Sequence, residues 1–175
     1  MTADNNRMIL DMIEARFPGK VLESDTPYGF LSLVIDHDSI VDIITYLKDE
    51  PTLRFGFLTT CCGLHFPDAK QRFGMMYQLH SLENNYRIRL KAFTHYDPPV
   101  FPTLTGMFKT ANWMERETYD FYGIIFKGHP DLRRILNMDE MVSFPMRKEF
   151  PLEDANRTDK DDRYFGRIPQ NNNLN

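Results

Sequence analysis

The chain has 175 residues, of which 42% are hydrophobic and 26% are charged, and its formal net charge is −4. This length is enough for one domain with a hydrophobic core, and the composition is that of an ordinary globular protein. The small negative charge and the absence of a basic run argue against binding to nucleic acid.

The sequence gives no sign of targeting to a membrane or insertion into one. Residues 1–7 lack the charged and apolar regions of a signal peptide. The longest apolar run, near Phe30–Ile35, is much shorter than the roughly 20 residues that span a bilayer. We therefore expect a soluble chain that contacts a membrane only through partner proteins.

The two cysteines, Cys61 and Cys62, are adjacent in the sequence. Iron–sulfur clusters and zinc sites need several thiolates or imidazoles at loop spacings such as C-x-x-C, and the histidines show no such spacing either. Neither G-x-G-x-x-G after a strand nor the phosphate-binding G-x-x-x-x-G-K-[ST] occurs. The sequence thus predicts no metal, cluster or nucleotide site, and the cysteines are expected to be small buried residues.

Hydrophobic periodicity predicts three elements in the first part of the chain. Asn5–Phe17 has apolar residues at helical spacing, which predicts an amphipathic helix ended by a Pro-Gly pair. Gly29–Ile35 predicts a strand. Asp38–Ser39 then offers an N-cap for a second helix that continues to Lys48.

The central part of the chain predicts a strand, a hairpin and a long helix. Leu53–Thr60 has the composition of a strand. Phe73–Leu82 and Tyr86–Thr94 predict an antiparallel hairpin. Thr103–Tyr122 predicts the longest helix of the chain, with Gly123 as its terminator.

The second strand of the predicted hairpin alternates apolar and basic side chains. Arg87, Arg89 and Lys91 form the basic row, and such alternation is typical of a half-buried strand. We expect the basic row to face solvent, with an acidic partner as the alternative.

The chain changes character after Gly128. Residues 1–128 predict one α+β domain, with a mixed or mainly antiparallel sheet packed by helices. In residues 129–175 prolines recur, charges of both signs accumulate, and apolar residues are spread at intervals. This segment is too long for a loop inside a domain and too apolar for a disordered tail. It therefore predicts an extended C-terminal tail that wraps a protein partner.

The densest cluster of charged residues runs from the predicted long helix into this tail. On a helix, Arg116 and Asp120 are four residues apart and can form an ion pair. Glu117 and Asp120 would repel each other unless a cation lies nearby, and Arg133 and Arg134 are candidates for that cation. We predict an acid–base network that locks the tail to the helix end, in which loss of one member would cost about 3–5 kcal/mol.

Four phrases in and around this cluster carry a resemblance to a known family. They are Ala-Asn-Trp at 111–113, Glu-Arg-Glu-x-x-Asp at 115–120, Gly-His-Pro-Asp-Leu-Arg-Arg-Ile-Leu at 128–136 and Pro-Met-Arg-Lys-Glu-Phe-Pro-Leu at 145–152. Together they resemble the signature of the complex I 30 kDa subunit family, strongly over residues 53–154 and weakly before that. The chain departs from the family pattern at Thr59–Cys62, where the family often has an acidic residue before a single cysteine.

The resemblance implies a non-catalytic subunit in the peripheral arm of a bacterial proton-translocating NADH:quinone oxidoreductase. It implies that this chain binds no cofactor, and that partner subunits carry the FMN and the iron–sulfur clusters. The implied partners are the quinone-site (49 kDa-type) subunit and the iron–sulfur subunits, on the cytoplasmic face of the inner membrane. The signature residues are then expected to contact partners: Trp113, Glu115, Arg116, Glu117, Asp120, Gly123, Gly128, His129, Pro130, Asp131, Leu132, Arg133, Arg134, Arg147 and Lys148.

Two other functions stay open at this point. A homologous subunit of a membrane-bound hydrogenase or of a photosynthetic-type complex would have the same domain and a different electron donor. A stand-alone hydrolase could use Glu115, Glu117 and Asp120 as acid and base if they converge on a cleft. Three acids beside an arginine within six helical residues more often form a salt-bridged surface.

Two side chains of the cluster have alternative roles. His129 could relay protons, because histidine titrates near neutrality, but a structural hydrogen bond at the turn into the tail is the expectation. Trp113 is expected to anchor the core or an interface rather than to carry electrons.

Overall fold

A computed structural model describes residues 3–150 of the chain. Within them lie the helices α1 (Ala3–Arg16), α2 (Ile40–Asp49) and α3 (Ala111–Tyr122). The strands are β1 (Val21–Asp25), β2 (Leu31–Ile35), β3 (Phe57–His65), β4 (Phe73–Ser81), β5 (Tyr86–Thr94), β6 (Val100–Pro102) and β7 (Ile125–Lys127). Short 3-10 turns occupy Pro27–Gly29 and His37–Ser39.

The main sheet has five strands in the order β1-β2-β5-β4-β3. Neighbouring strands are antiparallel except for β2 and β5, which are parallel. The strands β6 and β7 form a separate parallel pair. The predicted α+β class with a mixed, mainly antiparallel sheet is therefore confirmed.

The helices pack on one face of the main sheet. Ile9 and Ile13 of α1 and Ile43 of α2 belong to the same buried apolar cluster as Leu33 of β2 and Leu90 of β5. Successive side chains of a strand point to opposite faces, so the residues that alternate with this set lie on the other face. In β5 that alternation is regular, with Ile88, Leu90, Ala92 and Thr94 buried.

The hairpin and the first two helices are where the sequence predicts them, to within two residues. The strand predicted at Leu53–Thr60 is wrong in position, because β3 runs from Phe57 to His65. Leu53 and Phe55 are buried, but Arg54 between them has a φ of +47°, which breaks the extended backbone. The N–H of Phe55 instead donates to the carbonyl of Leu47 (2.9 Å).

The long helix predicted from Thr103 begins only at Ala111. The backbone before it is held by a side chain, since the N–H of Leu104 donates to the Glu115 carboxylate. The predicted end at Gly123 is confirmed, because this residue has a φ of +71° and its N–H donates to the carbonyl of Tyr119 (2.8 Å). Ser39 is the N-cap residue of α2, as predicted, but its hydroxyl forms no capping hydrogen bond and donates to Asp36 instead.

The described part of the predicted tail, residues 129–150, contains turns and bends without helix or strand. It contacts α3 and the ends of β3 and β4. The remainder of that prediction, residues 151–175, lies outside the described residues. The division of the chain at residue 128 stays a prediction.

Candidate functional site

The carboxylate of Asp120 is the centre of the contact between α3 and the segment that follows it. Its Oδ2 accepts three consecutive backbone N–H groups, from Ile135 (3.1 Å), Leu136 (2.8 Å) and Asn137 (2.9 Å). Its Oδ1 accepts the Asn137 side-chain amide (3.1 Å) and the Arg134 guanidinium (2.7 Å). One buried side chain thus fixes the backbone of residues 134–137, which we call the clamped segment.

Asp120 has no exposed surface, and burial alone would raise the pKa of its carboxyl group. The hydrogen bonds from Asn137, Leu136, Arg134 and Ile135 favour the ionised form and outweigh that effect, so its pKa lies well below the ordinary value. The group is therefore a carboxylate at any physiological pH. A carboxylate that accepts this many bonds has no lone pair left for general acid–base chemistry.

Arg134 is the cation of this network, as the sequence predicts. Besides Asp120, it donates to the carbonyls of Met141 and Ser143 (3.0 Å for the latter). Its guanidinium also lies 5.1 Å from the centroid of the Phe144 ring. Arg134 and Asp120 expose 8% and 0% of their side chains, so this is a buried ion pair that closes the loop 135–143.

The other predicted pairings of the network are wrong. Arg116 donates to the carbonyls of Arg133 (3.3 Å) and Arg134 (3.2 Å), and not to Asp120. The exposed Arg133 pairs with Asp131 (2.9 Å). Arg116 is buried where the segment runs along α3, so its guanidinium bonds to backbone carbonyls, while the Asp120 carboxylate is bonded by Arg134 and by backbone N–H groups.

The beginning of the segment is held by His129. Its Nε2–H donates to the carbonyl of Asn112 (3.2 Å), and its Nδ1 accepts the N–H of Asp131 (3.0 Å). Both bonds require the neutral tautomer that carries its proton on Nε2. The predicted structural hydrogen bond is therefore confirmed.

The neighbours of His129 in the signature differ in exposure. Gly128, which has a φ of +89°, Pro130 and Asp131 are exposed, whereas Leu132 packs against the hydrophobic core. Residues 128–132 thus leave the domain surface and return to it through one apolar side chain.

The end of the segment folds over the C-terminus of α3. Arg147 donates to the carbonyl of Tyr122 (2.8 Å), and its guanidinium lies 4.7 Å from the ring centroid of Phe144 and 4.8 Å from that of Phe73. Gly123 is required beneath it, because a Cβ there would lie 2.7 Å from the Arg147 guanidinium. The cation therefore satisfies a helix-end carbonyl while it packs between two aromatic rings.

A histidine on β3 holds the last described residues. The N–H of Lys148 donates to Nδ1 of His65 (3.0 Å), and the Lys148 ammonium lies 5.3 Å from the Phe66 ring centroid. His65 stacks on Phe73 with a centroid distance of 4.6 Å. Burial lowers the pKa of His65, so the neutral form that accepts the Lys148 N–H is favoured.

Glu115 lies on a different side of α3 from Asp120. Its Oε1 accepts the N–H of Leu104 (2.7 Å) and its Oε2 is 2.6 Å from the Thr103 hydroxyl oxygen. Burial raises the pKa of Glu115 to about 7, although both hydrogen bonds act in the opposite direction. Its role is to hold the turn before α3.

These positions exclude the arrangement that a hydrolase would need. Glu115 and Asp120 are fully buried and bonded to different loops, while Glu117 is exposed. The three carboxyl groups do not converge on a cleft where a substrate could reach two of them.

The structure leaves several apolar side chains exposed on this segment and on the neighbouring face of α3. Leu136, Met138 and Val142 leave 64%, 74% and 94% of their surface exposed. Trp113 is 62% exposed, so it is no core anchor, and the Arg116 guanidinium lies 5.3 Å from its ring centroid. These exposed apolar side chains lie beside exposed charged residues such as Asp139 and Glu140, and we call Trp113, Leu136, Met138 and Val142 the apolar rim.

Three further findings concern residues 3–150. They contain no group of three or more His, Cys, Asp or Glu side chains that could hold a metal ion. No helix within this range has both the length and the apolar composition to cross a membrane. Cys61 is buried, whereas Cys62 is only partly buried and lies on the other face of β3.

Comparison with known proteins identifies the family. Residues 33–156 match the family model described as the respiratory-chain NADH dehydrogenase 30 Kd subunit. The chain belongs to this family. The match includes α2, the main sheet from β2 onward, α3 and the clamped segment.

Curated relatives of this family extend over most of the chain. One NADH-quinone oxidoreductase subunit of Rhizobium meliloti (strain 1021) is 43% identical over 144 residues, which are 82% of this chain and 78% of that protein. Its counterpart in Roseiflexus sp. (strain RS-1) is 39% identical over 167 residues, 94% of this chain and 96% of that protein. The chain is therefore similar to subunits of NADH-quinone oxidoreductase, and the hydrogenase-type alternative is not favoured.

Solved structures show the same fold. A trypsin-resistant fragment (1-134) of Nqo5 matches 72% of this chain and 98% of the fragment, with a TM-score of 0.62 and 29% identity. A chain of the membrane-bound sulfane sulfur reductase, an archaeal respiratory membrane complex, matches 85% of this chain and 86% of its own length, with a TM-score of 0.70 and 21% identity. At that identity, the second likeness shows the fold alone.

Proposed function

We propose that this chain is a non-catalytic subunit of the peripheral arm of an NADH:quinone oxidoreductase, on the cytoplasmic face of the membrane. It binds no cofactor itself. Its partners are the quinone-site subunit, against which residues 129–150 dock, and iron–sulfur subunits of the same arm. Electron transfer from NADH through FMN and iron–sulfur clusters takes place in those partners, and this chain fixes their relative position.

The observation that carries the proposal is the clamp at Asp120. It orders a segment that has no helix or strand of its own, and it does so with a carboxylate that is fully buried and fully bonded. A catalytic carboxylate needs access to substrate, whereas a structural clamp needs none. The geometry therefore supports a role in which the position of the segment is the function.

The apolar rim supports a partner of matching chemistry. Leu136 is exposed although its own backbone N–H is fixed by Asp120, so its side chain is presented outward at a defined place. Exposed apolar side chains on a preordered segment are typical of a protein–protein interface, because little conformational entropy is lost on docking.

The proposal is tested by placing charge on the apolar rim. Leu136→Asp combined with Val142→Asp should prevent incorporation of a tagged chain into the membrane-bound complex and abolish the NADH:quinone activity that depends on it. Leu82→Asp is the matched control, because Leu82 is 68% exposed on the β4–β5 turn. It should assemble normally.

The result that contradicts the proposal is equally definite. Normal incorporation and activity of the double variant would show that the rim is not an interface. Both variants change exposed side chains, so a folded monomer with an unchanged circular dichroism spectrum is expected in each case, and that measurement separates loss of docking from loss of folding.

A further inference from the structure

The main sheet has a second face that no helix covers within residues 3–150. Its apolar members Val34 and Met76 do not belong to the core cluster that joins the helices to the opposite face. The strand registers align the residues of this second face in rows across β2, β5, β4 and β3. We call it the open face, and its central residues are Val34, Cys62, Met76, Gln78, Arg89 and Lys91, which are half-buried, and Ser32, which is buried.

The middle of the open face is positively charged in a chain whose net charge is −4. Arg89 and Lys91 project from β5, the central strand, at a separation of about 7 Å along the strand. Their direct neighbours in both adjacent strands are uncharged: Ser32 and Gln78 for Arg89, Val34 and Met76 for Lys91.

Neither cation is satisfied by the described part of the chain. The Arg89 guanidinium lies 5.3 Å from the Phe30 ring centroid, and its Nε is buried without a hydrogen-bond partner there. Lys91 is half-buried and forms no hydrogen bond or ion pair with residues 3–150. A partly desolvated cation without an anion is unfavourable, and a carboxylate brought to it would relieve this cost.

The edge of the sheet restricts where such a carboxylate can come from. Glu23 and Asp25 of β1 pair with Val34 and Ser32, so they lie in the same rows as Lys91 and Arg89 but two strands away. They repel an anionic segment from the β1 side. The other side, towards β4 and β3, offers uncharged side chains such as Met76 and Cys62, and Glu117 of α3 lies near Cys62 at its outer edge. Apolar side chains of a segment, and not its carboxylates, therefore fit over β4 and β3.

We propose that the open face binds an acidic, extended segment of a neighbouring subunit, whose carboxylates pair with Arg89 and Lys91 and whose apolar side chains lie over β4 and β3. This rests on the proposed function, because it requires assembly into a complex. The proposed contact is a second interface, separate from the apolar rim, on the side of the sheet opposite the helices. Fixed charges flanked by apolar area give such a contact its register.

Charge reversal tests the electrostatic part. Lys91→Glu should reduce incorporation into the complex at least about tenfold, since like charges then face each other across the contact. Lys48→Glu is the matched control, because this substitution makes the same charge change on α2 and not on the open face. Lys91→Gln, which adds no repulsion, should give an intermediate loss, and equal incorporation of all three variants would overturn the proposal.

Site-specific photocrosslinking in the assembled complex identifies the occupant. A benzoylphenylalanine at Gln78, in the centre of the open face, should join to a peptide of another subunit that is rich in Asp and Glu. The same probe at Val142 reports on the apolar rim and should reach the quinone-site subunit.

The two probes separate the two proposals. Suppose that Val142 crosslinks to the quinone-site subunit. The second interface is then overturned if Gln78 gives no crosslink, or crosslinks to residues 151–175 of this chain or to a peptide without acidic residues. The proposed function would still stand in each of these cases. Absence of a crosslink from Val142 would count against the proposed function itself.

Discussion

Glu115→Gln is the substitution that best tests the electrostatics of the signature. The wild-type side chain is fully buried, forms no ion pair within residues 3–150, and has its pKa raised from 4.5 to about 7 by burial. Glutamine keeps the size of the side chain. Its amide oxygen can still accept the Leu104 N–H, and its amide group lies where the wild-type carboxylate accepts the Thr103 hydroxyl.

The magnitude follows from the pKa. A rise from 4.5 to about 7 corresponds to about 3 kcal/mol of difference between the protonated and ionised forms. Because the pKa is higher in the folded than in the unfolded chain, the protonated carboxyl group contributes its full stability below pH 4.5. This contribution is lost as the pH rises through about 7.

Urea unfolding followed by circular dichroism at a series of pH values measures the effect. The free energy of unfolding of the wild type, relative to the variant, should fall by up to about 3 kcal/mol between about pH 5 and about pH 8. Glu117→Gln, which makes the same change at an exposed position of α3, serves as the control variant. A difference between wild type and Glu115→Gln that does not change with pH would refute the reasoning, because it would mean that Glu115 is ionised in the folded chain at all these pH values.

Three further perturbations have definite expected outcomes. Asp120→Asn should lower the free energy of unfolding by about 3–5 kcal/mol, because Arg134 is left buried without its anion; denaturant titration checks this, and a loss below about 1 kcal/mol would contradict it. Acidification should weaken the bond from Lys148 to His65, because burial lowers the pKa of His65 and its neutral form contributes stability that is lost as the pH falls; the protection factor of the Lys148 amide, which removes the intrinsic pH dependence of exchange, should fall, and a protection factor independent of pH would disprove this. Gly123→Ala should cost about 1–2 kcal/mol in a thermal or chemical melt, since its φ is +71° and the new methyl group meets neighbouring side chains within 3 Å; an unchanged stability would exclude the strain.

The sequence predicts the elements whose patterns are strong and local. The alternation in Tyr86–Thr94 and the helical spacing in Asn5–Phe17 correspond to β5 and α1 almost to the residue. The strand β1 has no such signal, because all of its residues but Val21 are exposed at the edge of the sheet. The strands β6 and β7 are three residues each, too short for a period to be recognised.

The candidate network was predictable in its members but only partly in its pairs. Charge and spacing indicated that Asp120 and Arg134 belong to one network, and they form its buried ion pair. The expected Arg116–Asp120 pair assumed that a neighbour on the helix is the nearest partner. The tertiary structure brings three backbone N–H groups from 15 to 17 residues later in the chain to Asp120, and consecutive backbone donors have no signature in side-chain identity.

A polar clamp solves a problem that hydrophobic packing cannot solve at this site. If Leu136 and Met138 held residues 134–137 to the domain by their own burial, they would not be available to a partner. Asp120 and Arg134 instead bind the backbone of the segment through buried charge, so that 64% of Leu136 and 74% of Met138 stay exposed. A buried ion pair adds little net stability compared with apolar residues of the same size, but its hydrogen bonds admit one geometry. In this chain the charged residues of the signature therefore determine the position of the segment, and the apolar residues beside them, on our proposal, provide the affinity for the partner.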